Sequence, residues 1–363
     1  MRLALATVLL ALFCGGVLLG QDGAKLVSKT DLPNPQEPFD SYCPSVVQSR
    51  PGVLEMTWYG GPTSGQANLE ADTKMSIWFS RWEEESWTPA VEIATAQQKC
   101  WNPVLCHLAQ GHLMLFYKVG LNPRCWQGFF KYSLNGGRVW STETMLPAGI
   151  IGPTRNHPVM NDRAILQCGS SWEAGEPGEA YASTAVWVEQ TPDLGTTWCK
   201  VGPITKPGND AFGLLQPCLY YDAHGSLRML ARDRAARAGK IGWLWTATSS
   251  DGGDTWSKPE QTEVPNADLP VDVYRLTDGR YVLAYNPVHE GRSPLALALS
   301  KDGITWMPWL ILEEGPGDFT YPSLQQIGNQ LHILYAATNP GPGARRLRHA
   351  VIALETPEDN RYK

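Results

Sequence analysis

Three side chains that can transfer protons or form directed hydrogen bonds stand immediately before prolines that recur along the chain: His157, Gln216 and Tyr321. An imidazole or a phenol can exchange a proton with a substrate, and a phenolate can also act as a nucleophile. Asn102 occupies the same position before another of these prolines. Because equivalent positions of a repeat face the same way, we expect these polar groups to line one cavity.

A second set of polar and aromatic residues follows apolar runs of the sequence, and Arg155 precedes one of the recurring prolines by three positions. The members of this set are Lys118, Trp126, Glu173, Arg232, Arg292 and Arg346. A guanidinium group offers a fork of donors that fits a carboxylate, and an indole can stack on a sugar ring. The pattern therefore predicts a site for an anionic sugar. The competing interpretation is that these residues are polar because loops face water.

The elements that must position these residues form a six-fold repeat. The recurring prolines are spaced by 52 to 59 residues, at Pro44, Pro103, Pro158, Pro217, Pro270 and Pro322. Each is followed by an apolar stretch, a turn and a second apolar run, of which residues 279–285 are typical. The alternation in these runs is typical of β-strands. Strands one and two of a unit are antiparallel, so the start of the first and the end of the second share a face.

A second motif recurs out of phase with the first and predicts the outer half of each unit. Residues 133–140, 191–198 and 249–256 share a Ser or Thr, then an Asp or Asn, a Gly and a final Trp; residues 300–306 form a shorter copy and residues 80–87 a degenerate one. Asp or Asn caps its own turn, and Gly supplies the positive φ. Two inner strands and a hairpin closed by this turn make a propeller blade.

The repeats predict an all-β fold, a six-bladed β-propeller, with residues 21–363 as a single domain. A seven-bladed propeller is the alternative. The sixth unit lacks the outer motif, so we expect residues 25–29 to supply its outer strand and close the ring.

The first twenty residues have the pattern of a secretory signal peptide, with Arg2 before an apolar run that reaches Leu19. We therefore expect a secreted, periplasmic or extracellular protein with no later transmembrane span. The 30 Lys and Arg against 36 Asp and Glu give a net charge of −6, which argues against nucleic-acid binding.

The cysteines show no zinc-binding spacing, and seven remain beyond the leader. A Cys100–Cys106 disulfide would suit an oxidising compartment, but buried small apolar side chains are the preferred interpretation for most of them. We expect a monomer without a cofactor; a structural calcium ion in the central channel lacks a specific ligand cluster in the sequence.

The outer-hairpin motif resembles the Asp-box of the sialidase superfamily, in its BNR-repeat branch, and the resemblance covers the whole chain after the leader. Residues 321–324 are similar to the segment that carries the sialidase tyrosine nucleophile. The strand ending at Arg232 and the stretch after Arg292 are similar to those that carry two carboxylate-binding arginines. The resemblance implies that Arg232 and Arg292 bind a sugar carboxylate, and that Tyr321 acts as nucleophile or charge stabiliser.

Two positions depart from the sialidase pattern. Sialidases have Phe-Arg-Ile-Pro at the start of the first blade, whereas residues 40–44 of this chain are Asp-Ser-Tyr-Cys-Pro and contain no arginine. The glutamate that assists the tyrosine is replaced by Gln216, and an amide cannot act as a general base. The position of the acid is open, and Glu70 or Asp72 could fill it.

Three classes of function follow. The first is a sialidase-like exo-glycosidase, a glycoside hydrolase that acts on acidic glycans. The second is a lyase, because the chain also resembles propellers that cleave rhamnose–glucuronate linkages by β-elimination; Arg155, Gln216, Arg232 or Arg292 would neutralise the carboxylate, and His157 or Tyr321 would be the base. The Arg-Asn-His run at residues 155–157 favours this option. The third is a non-catalytic glycan-binding propeller, which the missing arginine and glutamate would explain.

Overall fold

The computed structural model describes residues 24–63, 74–109, 111–174, 183–208, 213–338 and 344–354. The predicted leader and the candidate acids Glu70 and Asp72 lie outside these residues.

Six antiparallel sheets form the blades of a β-propeller, as predicted, and the seven-bladed alternative is excluded. Every sheet has four strands except that of blade one, where a fifth strand pairs with the third. The strands of blades one to three are β2 (Phe39–Arg50), β3 (Val53–Pro62), β4 (Ser76–Glu83), β5 (Ser86–Trp87) and β6 (Val91–Ala94); β7 (Cys100–Ala109), β8 (His112–Val119), β9 (Gln127–Ser133) and β10 (Thr144–Met145); and β11 (Val159–Met160), β12 (Leu166–Ala174), β13 (Ser183–Thr191) and β14 (Cys199–Ile204).

The remaining blades follow the same order. Their strands are β15 (Leu214–Tyr221), β16 (Leu227–Asp233), β17 (Trp243–Ser249) and β18 (Glu260–Pro265); β19 (Asp272–Arg275), β20 (Tyr281–Tyr285), β21 (Leu295–Ser300) and β22 (Met307–Glu313); and β23 (Asp318–Ile327), β24 (Gln330–Thr338), β25 (Arg346–Leu354) and β1 (Ala24–Asp31). Two short 3-10 helices, Pro123–Cys125 and Arg234–Ala238, lie in loops after second strands. No helix of the described residues is long and apolar enough to cross a membrane.

The N-terminal strand closes the ring. β1 runs antiparallel to β25, with Lys25 opposite Ala353 and Lys29 opposite Ala350. This confirms that the segment around residues 25–29 supplies the outer strand of blade six. The two ends of the described chain are therefore held in one sheet, which links blade six to blade one.

The apolar core is divided among the blade interfaces. Six clusters of buried side chains lie between neighbouring blades, and the cluster between blades six and one includes Val46, Trp58 and Leu334. All seven cysteines in the described part of the chain are free, so the disulfide between Cys100 and Cys106 is not formed. Five of the seven are buried, in agreement with the preferred interpretation; Cys125 and Cys199 are exposed.

The outer-hairpin motifs have the predicted local structure. In the copy at residues 249–256, the Asp251 carboxylate accepts the Thr255 N–H at 2.9 Å, and Ser249 Oγ accepts the Gly253 N–H at 2.8 Å. Gly253 has φ +99°, and a Cβ there would lie 2.0 Å from Gln167 Nε2. Trp256 packs half-buried against the core between blades three and four. The motif is therefore structural, on the face opposite the second-strand ends.

A repeated bulge places the residues before the inner prolines. In blades one, two, four and six, the pairing of the first two strands shifts register at this point. Cys43, Asn102, Gln216 and Tyr321 adopt left-handed backbone conformations there, with φ between 40° and 58°. Such conformations cost on the order of 1–3 kcal/mol for non-glycine residues and occur at functional sites. Four equivalent side chains are thereby turned out of their sheets.

Blade three departs from the predicted repeat. Its innermost strand, β11, has only two residues, where the sequence pattern predicts a strand after Pro158 comparable to the others. The preceding residues 152–156 are buried without forming a strand. Their backbone stays bonded to blade three, whereas the side chains of Arg155 and Asn156 hydrogen-bond to blades six and five.

Candidate functional site

Strand pairing places four of the predicted site residues, Asn102, Lys118, Gln216 and Arg232, at the same end of their blades. Asn102 lies next to the pair Trp101–Lys118 in blade two, and Gln216 lies next to the pair Leu215–Arg232 in blade four. These pairs join the start of a first strand to the end of a second strand. The sequence argument for a shared mouth is thus reproduced within these blades.

Three buried basic side chains act electrostatically on the Cys43 thiol. The side chains of Lys118, Arg155 and Arg232 are 0%, 1% and 5% exposed. All three act to lower the pKa of Cys43, but burial outweighs them and raises it, so the thiol stays protonated at neutral pH. Cations from blades two, three and four therefore converge on one residue of blade one.

Lys118 is buried without a carboxylate partner in the described residues. Its Nζ donates to the carbonyl oxygen of Asn102 at 3.3 Å and to that of Pro153. Burial lowers the pKa of Lys118 to about 7, although Cys43, Glu189 and Cys168 act in the opposite direction. Its charge is therefore marginal at neutral pH.

Arg155 connects the centre of the ring to Tyr321. Its guanidinium carbon lies 5.9 Å from the centre of the Tyr321 ring, and its Nη2 donates to the carbonyl oxygen of Pro322. The Nε of Arg155 has no hydrogen-bond partner among the described residues. A guanidinium beside a phenol stabilises negative charge that develops on the phenolic oxygen.

Gln216 presents an amide in place of a base. Its backbone N–H donates to Ser171 Oγ at 3.1 Å, and its side-chain Oε1 is buried without a hydrogen-bond partner within the described ranges. A buried carbonyl oxygen without a donor costs free energy, so it is available to a ligand hydroxyl or amide group.

Arg232 is held by a residue that the sequence argument missed. Its Nη1 donates to the carbonyl oxygen of Asp268 at 2.6 Å, and the Asp268 carboxylate also binds Arg234 at 3.0 Å. Asp268 is fully buried and has φ 58°. The left-handed residue of blade five is thus one position earlier than Leu269, the residue predicted from the proline alignment.

Arg292 lies in a separate group of charges. Its Nη1 is 4.0 Å from Asp318 Oδ2, which also receives Arg345 at 3.2 Å. The Arg345 guanidinium lies 4.5 Å from the centre of the Tyr42 ring, and its backbone N–H donates to Asp40. Arg345 therefore places a cation beside blade one, where the first-blade arginine of the sialidase pattern is missing. Arg345 directly precedes Arg346, one of the predicted substrate-binding residues.

Three of the predicted site residues are held by other contacts, and for Glu173 the strand register alone is described. Both ring nitrogens of His157 are hydrogen-bonded, to the Leu105 carbonyl oxygen at 2.8 Å and to Ser323 Oγ at 3.3 Å, and burial lowers its pKa. Trp126 is buried in an aromatic cluster, 6.0 Å from the Trp101 ring. Arg346 pairs with Glu37 at the surface, at 2.7 Å. Glu173 lies in β12 opposite Thr184.

The family assignment rests on a match over most of the chain. Residues 53–333 match the model of the BNR repeat-like domain. The chain belongs to this family. The sialidase-like, BNR-repeat resemblance noted in the sequence is thereby confirmed, whereas comparison with curated proteins gives no significant match.

Solved structures share the propeller at low sequence identity. A protein of unknown function from Dyadobacter fermentans aligns with a TM-score of 0.76 and 18% identity, over 92% of this chain and all of that one. Trypanosoma rangeli sialidase aligns with a TM-score of 0.67 and 12% identity, over 91% of this chain and 60% of the sialidase. A mutant of NanB sialidase from Streptococcus pneumoniae gives 0.66 and 11%, over 86% and 68%. These identities establish the fold alone.

Proposed function

We propose that this BNR-repeat protein is a secreted carbohydrate-active enzyme, a sialidase-like exo-glycosidase that acts on carboxylate-bearing glycans. The observation that carries the proposal is the buried Arg155 guanidinium beside Tyr321. Its contacts in the described structure are a carbonyl oxygen and an aromatic ring, and its Nε has no hydrogen-bond partner there. A buried cation is costly unless it is paired. A substrate carboxylate would supply the pair.

In this proposal the sugar carboxylate binds against Arg155 and Arg232, and Arg292, in its separate group of charges beside Asp318, contributes less. Tyr321, having released its proton to solvent, attacks the anomeric carbon while an acid protonates the leaving oxygen. Water then hydrolyses the glycosyl–tyrosine bond. Glu70 or Asp72 would be the acid. Gln216 would hydrogen-bond a sugar hydroxyl, because its amide can accept a hydrogen bond but not a proton.

The amide at Gln216 favours a second candidate, a lyase acting on uronate linkages. In β-elimination a base removes the proton next to the carboxylate, and the bond to the leaving oxygen breaks to give a double bond. The carboxylate must be neutralised, for which Arg155 and Gln216 would serve. Because both nitrogens of His157 are already hydrogen-bonded, Tyr321 is the better base.

Analysis of released products distinguishes these candidates. The protein would be incubated with sialyl-lactose and with a rhamnose–glucuronate oligosaccharide, followed by mass spectrometry and absorbance at 235 nm. Release of a free saturated acidic sugar supports the hydrolase. An absorbance rise with an unsaturated uronate supports the lyase. Binding of acidic glycans without any product would support a non-catalytic glycan-binding protein and refute both enzymes.

Two variants connect the activity to this site. Tyr321→Phe keeps the ring and removes the phenolic oxygen, so it should abolish turnover in either mechanism. Arg163→Gln is the control, because Arg163 lies in the turn between β11 and β12 and pairs with Asp254 of an outer hairpin, away from Tyr321. Equal activity of Tyr321→Phe and the unmodified protein would remove Tyr321 from the reaction.

A further inference from the structure

The segment that carries Arg155 is anchored to several blades at once. Thr154 N–H donates to the Gly169 carbonyl oxygen at 2.9 Å in blade three, and Asn156 Nδ2 donates to the Val271 carbonyl oxygen at 2.8 Å at the start of blade five. His157 contacts blades two and six. Residues 151–157, here called the central segment, are therefore hydrogen-bonded to blades two, three, five and six.

Glu189 fixes the first backbone groups of the central segment. One oxygen of its carboxylate accepts the N–H groups of Ile151 at 3.0 Å and Gly152 at 2.7 Å. The other oxygen is 3.3 Å from Lys200 Nζ. Glu189 comes from β13, is fully buried and points inward from the outer half of blade three. A buried carboxylate that accepts two backbone N–H groups holds them in one orientation.

Lys118 fixes the next backbone group from the opposite side. Its Nζ donates to the Pro153 carbonyl oxygen and to the Asn102 carbonyl oxygen of its own blade. Three consecutive residues, 151 to 153, are therefore fixed by one anion and one cation, and Arg155 follows two residues later. A displacement of about 0.5 Å in a group that binds substrate is enough to impair catalysis.

We infer that Glu189 and Lys118 are positioning residues, which set the direction of the Arg155 guanidinium through the backbone of residues 151–153. This inference rests on the proposed function only for its effect on turnover. Its structural content, the direction of Arg155 relative to Tyr321, stands independently.

The charge of Lys118 gives this arrangement a pH dependence. The titratable groups that face Lys118 are Cys43, Cys168 and Glu189. Burial raises the pKa of both thiols, so they are neutral around pH 7, and it also raises the pKa of Glu189 against the opposing effect of Lys200 and the two backbone N–H groups. Lys118, with a pKa of about 7, is then the group that changes charge near neutrality. As pH rises past 7 it loses its proton and its carbonyl contacts weaken, so turnover should fall.

The first test is structural and needs no substrate. Crystal structures of Lys118→Met and Glu189→Gln would be compared with that of the unmodified protein. We expect Lys118→Met to move the Arg155 guanidinium away from Tyr321 or to leave it in two conformers. Glu189→Gln keeps an oxygen that can accept both N–H groups, so it should preserve Arg155. An unchanged Arg155 in Lys118→Met, within about 0.5 Å, would overturn the inference for Lys118.

Glu189→Ala tests the acceptor itself, with Glu55→Ala as the matched control. Glu55 is also fully buried and accepts a backbone N–H, that of Ser49 at 2.9 Å, but it lies in blade one away from the central segment. Both variants should lose thermal stability, whereas Glu189→Ala alone should displace Arg155. Equal Arg155 positions in both variants would overturn the inference for Glu189. If Glu189→Ala does not fold, hydrogen exchange of the Ile151 and Gly152 amides in the unmodified protein tests the contact; strong protection supports it and free exchange contradicts it.

Kinetics separate the inference from the proposed function. If an acidic glycan is turned over, Lys118→Met should lower kcat/KM at least tenfold and remove the fall in activity above pH 7. Retention of that pH profile would contradict the role of Lys118. If no glycan is turned over, the proposed function fails, while the crystal structures still decide whether Arg155 is positioned in this way.

Discussion

Acidification should weaken the interface that closes the ring, between blades six and one. His332 of β24 and His349 of β25 are buried there, with Nδ1 of His332 3.0 Å from Nε2 of His349. The Trp87 indole N–H of blade one reaches His349 Nδ1 at 3.2 Å. Because His349 Nδ1 accepts this bond, both imidazoles are neutral in the arrangement seen here. Protonation would insert positive charge into an aromatic, buried contact.

The expected loss of stability follows from the pKa values of the two histidines. Burial lowers the pKa of His332 to about 4 and that of His349 to about 3, against 6.5 for an unperturbed histidine. Between about pH 4 and pH 6.5 the unfolded chain binds more protons than the folded chain, so the free energy of unfolding decreases as the pH falls below 6.5. Each histidine should cost about 2 kcal/mol on going from pH 7.5 to pH 5. The carboxylates with lowered pKa titrate below this window.

Urea unfolding at pH 7.5 and pH 5 measures this loss. In His332→Gln one of the two titrations is removed, so the loss of stability between the two pH values should shrink by about 2 kcal/mol. His224→Gln is the control, because His224 lies in the exposed turn between β15 and β16. An identical pH dependence in His332→Gln and the unmodified protein would refute the reasoning.

Three further predictions concern the site and the blades. Arg155→Met should weaken turnover of acidic glycans by ten- to a hundredfold, since a charged hydrogen bond contributes about 1.5–3 kcal/mol. The control Arg163→Gln should have no effect, and equal losses in the two variants would show that Arg155 does not bind substrate. Arg292→Ala should cost about tenfold or less, because its side chain is 30% exposed and lies near Asp318, and a larger loss than for Arg155→Met would reverse this order. Trp256→Ala should lower the free energy of unfolding by about 2 kcal/mol, less than the loss of a fully buried indole, because Trp256 is half-buried. Substrate affinity should not change. Weaker binding with an unchanged melting temperature would contradict a structural role.

The fold could be predicted from the sequence because it is built from repeated local signals. The prolines mark the bulge of the inner strand in four of the six blades, and the outer-hairpin motif is stabilised by contacts within four residues, as between Ser249 and Gly253. The missing motif in blade six was itself informative, because the outer strand had to come from the N-terminal end. Because such signals are local, they can be recognised in the sequence without knowledge of tertiary contacts.

The site was harder to predict from the sequence because its contacts are not local. Gln216 and Tyr321 occupy the repeated bulge, and their conformation follows from the proline alignment. The central segment breaks that alignment, so His157 was expected at the mouth but forms hydrogen bonds to blades two and six. Lys118 was predicted as a substrate-binding residue, yet its partners are carbonyl oxygens. Asp268 precedes the predicted position by one residue, a shift that no sequence spacing reveals.

The proposed function requires a carboxylated sugar to bind between Arg155 and Tyr321. The decisive experiment is a crystal structure with a bound acidic monosaccharide, N-acetylneuraminic acid or glucuronic acid. The sugar carboxylate should lie within hydrogen-bond distance of Arg155, with the ring facing the Tyr321 hydroxyl and Gln216. A carboxylate bound away from Arg155, with the mouth around Tyr321 left empty, would contradict the account.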